Sequence, residues 1–269
     1  MAPWRRGEIA ANLAALDDDG DALAGAAARA GLTAPVPTCP GWQVRDLLRH
    51  VAYAHRWAAR HVTERLATVA EQDPEAAILA GGPPDDELLS YYRQGLDDLL
   101  AALGTAGPDL ACATFLAAPS PLAFWARRQA HETAVHRYDA QSTPALSGPA
   151  GPPDPLTAFG PAFAADGIDE LIMGFAARRR YRLRGDEDRS LAVATADWPG
   201  SWLIELADGR ISVRREPGPA VRPDCLLTGP AAGLYAFLWH RCSADQGRVT
   251  VAGDHALLAL WSASVRVTW

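Results

Sequence analysis

Lysine is absent from this chain of 269 residues, so all 25 of its basic residues are arginines. Without a lysine amine, the protein cannot form a Schiff base with a carbonyl substrate or use the lysine of a phosphate-binding P-loop. The basic residues are also dispersed, since no basic block is longer than Arg178–Arg180 and the formal net charge is −7. A general nucleic-acid surface requires a broad positive field, so we expect no nucleic-acid partner.

Cysteine is scarce, and its four positions, Cys39, Cys112, Cys225 and Cys242, are widely separated. No two of them form a CxxC pair, so the pattern indicates reduced thiols rather than a disulfide framework. Long apolar runs are missing as well: nothing resembles a signal peptide, and no segment approaches the roughly 20 apolar residues of a membrane span. We therefore expect a cytoplasmic protein with no membrane partner.

Four segments in the first half of the chain have the apolar spacing of amphipathic helices. These predicted helices cover residues 7–30, 43–70, 88–103 and 121–141. The connections between them are rich in glycine and proline, as in Gly81–Pro84, and both residues interrupt helices. The pattern predicts an antiparallel four-helix bundle over residues 1–145.

The second half of the chain differs from the first in composition and in its predicted secondary structure. Residues 146–164 are dense in proline and glycine with almost no charge, which predicts a linker. Beyond it, residues 165–269 predict an α+β domain, in which Asp208–Gly209 is a strong signal for a hairpin turn. The predicted strands cover residues 190–196, 201–206, 210–215, 225–227 and 248–252, and the predicted helices cover 166–182, 230–242 and the segment from Asp254.

A candidate metal site comes from Glu132 and His136, which lie four residues apart in a predicted helix and so project from one face. Two histidines and one carboxylate form a familiar catalytic zinc set that leaves a position open for water or substrate. His50 borders the apolar stripe of the second predicted helix, which makes it a better third ligand than His55 or His61. The spacing alone leaves a second interpretation open, because such pairs also arise by chance as solvated pairs.

Two neighbours of the candidate ligands have different predicted roles. His131 leaves the helix about 100° away from Glu132, so it cannot share the ligand face and is predicted to be structural or to support a ligand. Asp139 lies three residues after His136, where it could orient a ligand histidine. A carboxylate on the helix surface is the alternative for Asp139.

Several sequence segments resemble signatures of one known family. The N-terminal segments are Cys39–Trp42, Leu47–His50 and His131–Asp139, and the C-terminal ones are Asp166–Glu170, Leu227–Pro230 and Leu238–Arg241. In residues and in order, they resemble the mycothiol-dependent maleylpyruvate isomerase family. The resemblance covers nearly the whole chain, and its two N-terminal motifs are specific.

The resemblance implies a DinB-like four-helix bundle followed by a C-terminal α/β domain similar to sterol-carrier proteins. It also implies that His50, Glu132 and His136 hold zinc or another divalent metal, and that mycothiol is the thiol cosubstrate. A thiol bound to zinc has a lowered pKa, so it becomes a nucleophile at neutral pH. An arginine of the second domain is implied to bind a substrate carboxylate, and Arg241 fits that position best. A solvated arginine at a helix end is the alternative.

The resemblance leaves the reaction open. His240 stands where we expect a glycine, so the entrance to the site is predicted to be narrower or differently charged. Both isomerisation of a small electrophilic acid and S-transfer are compatible with the motifs. Non-haem iron enzymes use the same ligand types, although mostly on β-scaffolds with an HxD motif. A non-catalytic ligand-binding or regulatory protein on this fold is the other alternative, against which the intact ligand set argues. The sequence is compatible with a monomer or a homodimer.

Overall fold

The structure is a computed structural model that describes residues 6–144, 154–178, 188–207, 210–218, 222–265 and 267. The chain divides into two compact units between Pro155 and Leu156. The first unit is helical and the second combines a mixed sheet with helices, so the predicted fold class is confirmed. None of the helices in the described ranges has both the length and the apolar character that a membrane span requires.

Four long helices dominate the first unit and lie where the apolar spacing predicts them. The helices of this unit are α1 (Arg6–Ala30), α2 (Val44–Thr63), α3 (Glu75–Ala80), α4 (Asp85–Thr105) and α5 (Pro121–Gln141). The short helix α3 is not predicted, since it has six residues and only Ile78 is buried, too little for a periodic pattern. A core cluster that includes Leu23, Leu47, Leu88 and Ala140 joins the four long helices.

Helix α5 is buried around almost its whole circumference from Leu122 to Ala140. Its polar residues are therefore withdrawn from water and need partners inside the protein. Arg137, for example, donates to Asp19 on α1 over 2.8 Å. Because α5 is enclosed on all sides, its acidic and histidine side chains are held at fixed positions within the bundle.

The directions of the helices differ in part from an all-antiparallel bundle. Helices α2 and α5 are antiparallel, since His50 lies beside Glu132 whereas Trp57, further along α2, contacts Trp125. Helices α2 and α4 run parallel instead, because Arg49 contacts Asp85 and Arg56 contacts the following turn of α4. The connection over residues 64–84 is long enough to return the chain to the end at which α2 began.

Helix α2 ends at Thr63, so the prediction that it continues to residue 70 is wrong. Arg65 takes a left-handed conformation with φ of 50°, which stops the helical hydrogen bonding. The chain then folds back, and the backbone N–H of Ala70 donates to Nε2 of His61 over 3.0 Å. His61 thus fixes the segment that follows the helix.

The second unit contains a five-stranded sheet. Its strands are β1 (Arg189–Thr195), β2 (Ser201–Ala207), β3 (Arg210–Arg215), β4 (Cys225–Gly229) and β5 (Thr250–Gly253), in the spatial order β3-β2-β1-β4-β5. Strands β1 and β4 are parallel and all other neighbours are antiparallel. The predicted turn at Asp208–Gly209 lies outside the described residues, but the two strands that flank it pair antiparallel as a hairpin requires.

The helices of the second unit are shorter than the sequence predicts. They are α6 (Pro161–Asp169), α7 (Ala231–Leu238), α8 (Ala244–Gly247) and α9 (His255–Ser264). A π-helical segment, Glu170–Ala176, continues α6, so the predicted helix over 166–182 is split between two helical types, and its last residues lie outside the described ranges. A 3₁₀ turn over Pro155–Ala158 and the start of α6 fall within residues 146–164, which were predicted as linker.

Candidate metal centre

The structure brings His50, Glu132 and His136 together inside the bundle. Nε2 of His50 and Nε2 of His136 each lie 3.2 Å from Oε1 of Glu132. One ligand atom from each residue lies within 4.8 Å of the other two. The three side chains are buried, with exposed fractions of 4%, 2% and 5%.

The two helices explain why these side chains meet. Glu132 and His136 lie one turn apart on α5, and His50 lies in the first half of α2, which runs antiparallel to α5 beside that face. Leu47, Leu48 and Val51 of α2 are fully buried, and their packing fixes the rotation of the helix that presents His50. The ligand geometry is therefore set by two rigid helices rather than by loops.

The spacing of the ligand atoms fits a shared metal ion. Zinc binds histidine nitrogen and carboxylate oxygen at about 2.0–2.2 Å, which places two ligands of one tetrahedral ion about 3.4 Å apart. The separations of 3.2 Å between Oε1 of Glu132 and the two histidine nitrogens are close to that value. Two imidazoles and one carboxylate suit zinc and also other first-row divalent metals.

The charge state of the cluster favours a cation. Burial by itself raises the pKa of Glu132, but hydrogen bonds with His136 and His50 outweigh burial and hold that pKa well below its usual range. Burial lowers the pKa of His50. For His136, burial also lowers the pKa, but hydrogen bonds to Asp139 and Glu132 prevail, and the net pKa is raised. A metal ion that binds here meets an ionised carboxylate and displaces the proton of His136.

Asp139 orients His136 from the side opposite Glu132. Its Oδ2 lies 2.8 Å from Nδ1 of His136, and its Oδ1 accepts a hydrogen bond of 2.6 Å from Oγ1 of Thr38. The thiol of Cys39 also donates to Oδ2, over 3.4 Å. Asp139 is fully buried, so the alternative of a helix-surface carboxylate is wrong. Its contact with Nδ1 leaves Nε2 of His136 as the metal-binding atom.

The role of Asp139 predicts a measurable loss. Asp139→Asn keeps the shape of the side chain but removes the charge that supports His136, so zinc affinity should fall about 10- to 100-fold. Competition with a chelator of known affinity measures this change. Asp97→Asn, at an exposed position of α4, is the matched control and should leave the zinc affinity unchanged. Equal affinities of wild type and Asp139→Asn would contradict the assigned role.

Two further residues contact the ligand cluster, and the sequence pattern did not predict either contact. Arg128 is fully buried one turn before Glu132, and its Nη2 lies 3.3 Å from Oε2 of that carboxylate, so each Glu132 oxygen has a separate partner. The ring of Trp42 lies 5.1 Å from the His50 ring and 6.4 Å from the His136 ring, and its Nε1 donates to Glu75. Trp42 is only half-buried, and its ring covers the two histidines.

The other histidines of α2 lie outside the ligand cluster. Nε2 of His55 is 2.8 Å from Oγ1 of Thr133, and Nδ1 of His61 donates to the carbonyl oxygen of Trp57 over 2.7 Å. In the part of the chain that the structure describes, the one other metal-capable group is Cys39, His136 and Asp139, which shares His136 with the first. The structure thus brings His50 to Glu132, whereas His55 and His61 contact Thr133 and Trp57.

Burial lowers the pKa of His55 to about 3, and this shift makes stability depend on pH. The unfolded chain binds a proton at His55 near pH 6.5 and the folded chain does not, so acid favours unfolding. Between about pH 6 and pH 4, His55 should lower the free energy of unfolding by roughly 1.4 kcal/mol per pH unit. In His55→Gln, denaturant unfolding followed by circular dichroism should show this slope reduced, while His255→Gln, at an exposed position, should keep it. An unchanged slope in His55→Gln would contradict the assignment.

Arg241 lies beyond the helix that was predicted to contain it. Helix α7 ends at Leu238 instead of Cys242, because His240 adopts a left-handed conformation with φ of 61°. The backbone N–H of Arg241 then closes the helix end by donating to Ala236, and Nη1 donates to the carbonyl oxygen of Trp239 over 2.8 Å. A left-handed residue favours glycine, which gives a backbone reason for the glycine that the resemblance led us to expect at this position.

Comparisons with known proteins agree with the fold and the motifs. The family described as "Mycothiol maleylpyruvate isomerase N-terminal domain" matches residues 13–141, and the "MDMPI C-terminal domain" matches residues 162–260. The chain in the crystal structure of the mycothiol-dependent maleylpyruvate isomerase has 15% sequence identity with this chain. The alignment covers 91% of this chain and 92% of the isomerase chain, and the TM-score is 0.54. A histidine-to-alanine mutant of that enzyme gives 0.56 at the same identity and coverage.

The comparisons differ in what they show. A search among curated proteins finds no match. At 15% identity the likeness to the solved structures concerns the fold. The two family matches span most of the chain in the expected order, and the first contains His50, Glu132 and His136. The chain belongs to the mycothiol-dependent maleylpyruvate isomerase family.

Proposed function

We propose that this protein is an enzyme that uses zinc, or another divalent metal, to activate mycothiol for addition to a small electrophilic acid. The observation that supports the proposal most directly is the buried convergence of His50, Glu132 and His136 at separations of 3.2 Å. The family matches supply the thiol, since both the family description and the related crystal structures name mycothiol. The metal and the substrate are part of the proposal.

The residues of the first unit prepare the site for a thiolate. A bound zinc ion would lower the pKa of the thiol and hold its sulfur as a nucleophile at neutral pH. His50, Glu132 and His136 would hold the ion, and three protein ligands would leave it able to bind the thiol sulfur as well. Arg128 and Asp139 hold Glu132 and His136 in these orientations. Trp42 covers the histidine rings and reduces access of water to the nucleophile.

Arg241 is our candidate for substrate binding. Its guanidinium can clamp a carboxylate through two parallel hydrogen bonds, which would place a conjugated carbon against the sulfur. When sulfur adds, a carbon–sulfur bond forms and the double bond becomes single, with the electron pair delocalised onto the substrate carbonyl. The positive charge of Arg241 would stabilise that developing negative charge.

Two outcomes follow from the adduct. Rotation about the new single bond and loss of the thiolate restore the double bond in the other geometry, which amounts to isomerisation without consumption of thiol. Protonation of the adjacent carbon instead gives a stable S-conjugate, which amounts to S-transfer. The resident residues act identically until this step, so we propose the shared activation step and treat maleylpyruvate-like acids as the first substrates to test.

We also propose that the protein functions in the cytoplasm. All four cysteines are free thiols, with Cys39, Cys112 and Cys242 half-buried and Cys225 buried. A chain that carries free thiols is typical of a reducing compartment. A low-molecular-weight thiol cosubstrate is reduced and available in the same compartment.

The thiol proposal can be tested before any substrate is known. Zinc-loaded protein should bind mycothiol and release a proton, since a thiol must lose its proton to bind metal as thiolate. Titration calorimetry in buffers of different ionisation enthalpy measures both the affinity and the released proton. Zinc-free protein should bind at least tenfold more weakly if the metal–sulfur bond contributes about 1.4 kcal/mol or more. Equal binding with and without zinc would refute metal activation of the thiol.

A further inference from the structure

Gln129 is a buried amide on α5 that the site described above does not use. Its exposed fraction is 0%, and it lies three residues before Glu132. Among the described residues, neither its Nε2 nor its Oε1 has a hydrogen-bond partner. A carboxamide withdrawn from water without a partner destabilises the folded protein, so its presence at this position calls for an explanation.

The neighbours of Gln129 on α5 show which way that part of the helix faces. One turn before it, Trp125 contacts Trp57 of α2 with ring centroids 5.4 Å apart. One turn after it, Thr133 lies 2.8 Å from Nε2 of His55, also on α2. Residues four apart share a helix face, so Gln129 lies on the face that α5 turns toward α2.

Gln129 lies between the metal ligands and the tryptophan pair. The contact of His50 with Glu132 is on one side of it along the helices, and the contact of Trp57 with Trp125 is on the other. On α2, Ala54 lies one turn after His50 and is buried, and its side chain is a single methyl group. Gln129 therefore lies roughly 4.5 Å along the helix axis from Glu132, which would hold the metal, since the two are three residues apart.

We propose that Gln129 binds an amide group of the thiol cosubstrate while the thiol sulfur is at the metal; this inference rests on the function proposed above. A neutral carboxamide offers one acceptor and two donors, which matches an amide better than it matches an anion. In a cysteine-derived thiol the amide nitrogen is only three bonds from sulfur, so a hydrogen bond of about 2.9 Å from that amide can reach a side chain one turn along the helix from the metal ligands. Gln129 thus acts as a specificity-determining residue that selects cysteine amides over simple thiols.

The test compares two thiols that differ in the amide. N-acetylcysteinamide carries an N-acetyl amide and a primary carboxamide, both attached to the α-carbon of cysteine, whereas 2-mercaptoethanol has no amide. Gln129→Met keeps the length of the side chain but removes its hydrogen-bonding atoms. In zinc-loaded protein this variant should bind N-acetylcysteinamide about tenfold more weakly, the upper range for one hydrogen bond, and 2-mercaptoethanol with unchanged affinity. Gln94→Met, at an exposed position of α4, should change neither affinity.

Two measurements besides affinity separate binding from structure. The zinc content of Gln129→Met should equal that of the wild type, since the amide is not a ligand. Its melting temperature should stay the same or rise, because an unpartnered buried amide is replaced by an apolar side chain. A marked fall in melting temperature would show that Gln129 is bonded inside the protein, for instance through a buried water, and would overturn the inference.

The outcomes distinguish this inference from the function on which it rests. If Gln129→Met loses affinity for both thiols equally, or for neither, the role of Gln129 is overturned while the proposed thiol function stands. If zinc-loaded wild-type protein binds neither thiol nor mycothiol, the proposed function fails and this inference fails with it. If Gln129→Met keeps its full zinc content and loses affinity only for N-acetylcysteinamide, the result supports both the role of Gln129 and the proposed function.

Discussion

Replacement of Glu132 or His136 by alanine should abolish metal binding while the helices stay folded. Each residue contributes one of three protein ligands, and the loss in zinc affinity should exceed the roughly 100-fold typical for a residue that only supports a ligand. Zinc content of the purified variants measures the first effect, and far-ultraviolet circular dichroism measures the second. Glu132→Gln is a useful companion, because it keeps a hydrogen-bond acceptor for the buried Arg128 while removing the anionic ligand.

The controls for this experiment test the choice of the third ligand. His131→Ala should retain zinc, since His131 leaves α5 about 100° from Glu132. His55→Ala should also retain it, because His55 contacts Thr133 rather than the cluster. His50→Ala should lose it. Loss of zinc in His131→Ala with retention in His50→Ala would show that another histidine completes the site.

Arg241→Ala should reduce turnover about 10²- to 10³-fold, the range typical for removal of a group that stabilises charge in the transition state. Arg241→Lys should be nearly as poor, because a lysine ammonium cannot form the planar two-bond clamp of a guanidinium. Zinc content should equal that of the wild type, since Arg241 is not one of the ligands, and the melting temperature should fall only slightly, since the side-chain bond to the Trp239 carbonyl oxygen is lost. Turnover is measured on the acidic electrophile that the wild-type enzyme converts.

An exposed arginine elsewhere in the second unit serves as the control for a specific effect of Arg241 on turnover. Arg210→Ala changes an exposed arginine of β3 and should leave turnover unchanged. Near-normal turnover in Arg241→Ala would mean that the second unit supplies no catalytic arginine, or a different one. A large fall in melting temperature without a change in turnover would assign Arg241 to the end of α7, where its guanidinium bonds the Trp239 carbonyl oxygen.

The pairing of Glu132 with His136 was predictable because helical spacing alone places both on one face. His50 was predictable to a lesser degree, from its position beside the apolar stripe of α2. The contacts that orient these ligands were not. Thr38 and Asp139 are 101 residues apart in sequence, and their hydrogen bond depends on how the loop before α2 packs against α5. No periodic pattern encodes a contact of that kind.

Helix ends and helix directions also lay beyond the sequence pattern. Apolar periodicity continues past Thr63 and past Leu238, but left-handed Arg65 and His240 stop the two helices. Neither is a glycine, so neither gives the usual sequence signal for a helix end. The parallel course of α2 and α4 follows from the path of residues 64–84, for which local spacing holds no information.

The central claim is that His50, Glu132 and His136 form a zinc site, and elemental analysis of protein purified without added metal tests it most directly. We predict about one zinc per chain, removed by a chelator and restored by stoichiometric zinc. Iron in place of zinc would favour a non-haem iron enzyme with the same ligand types. A folded protein that contains no metal and takes up none when zinc is added would contradict the account and favour a non-catalytic ligand-binding or regulatory protein.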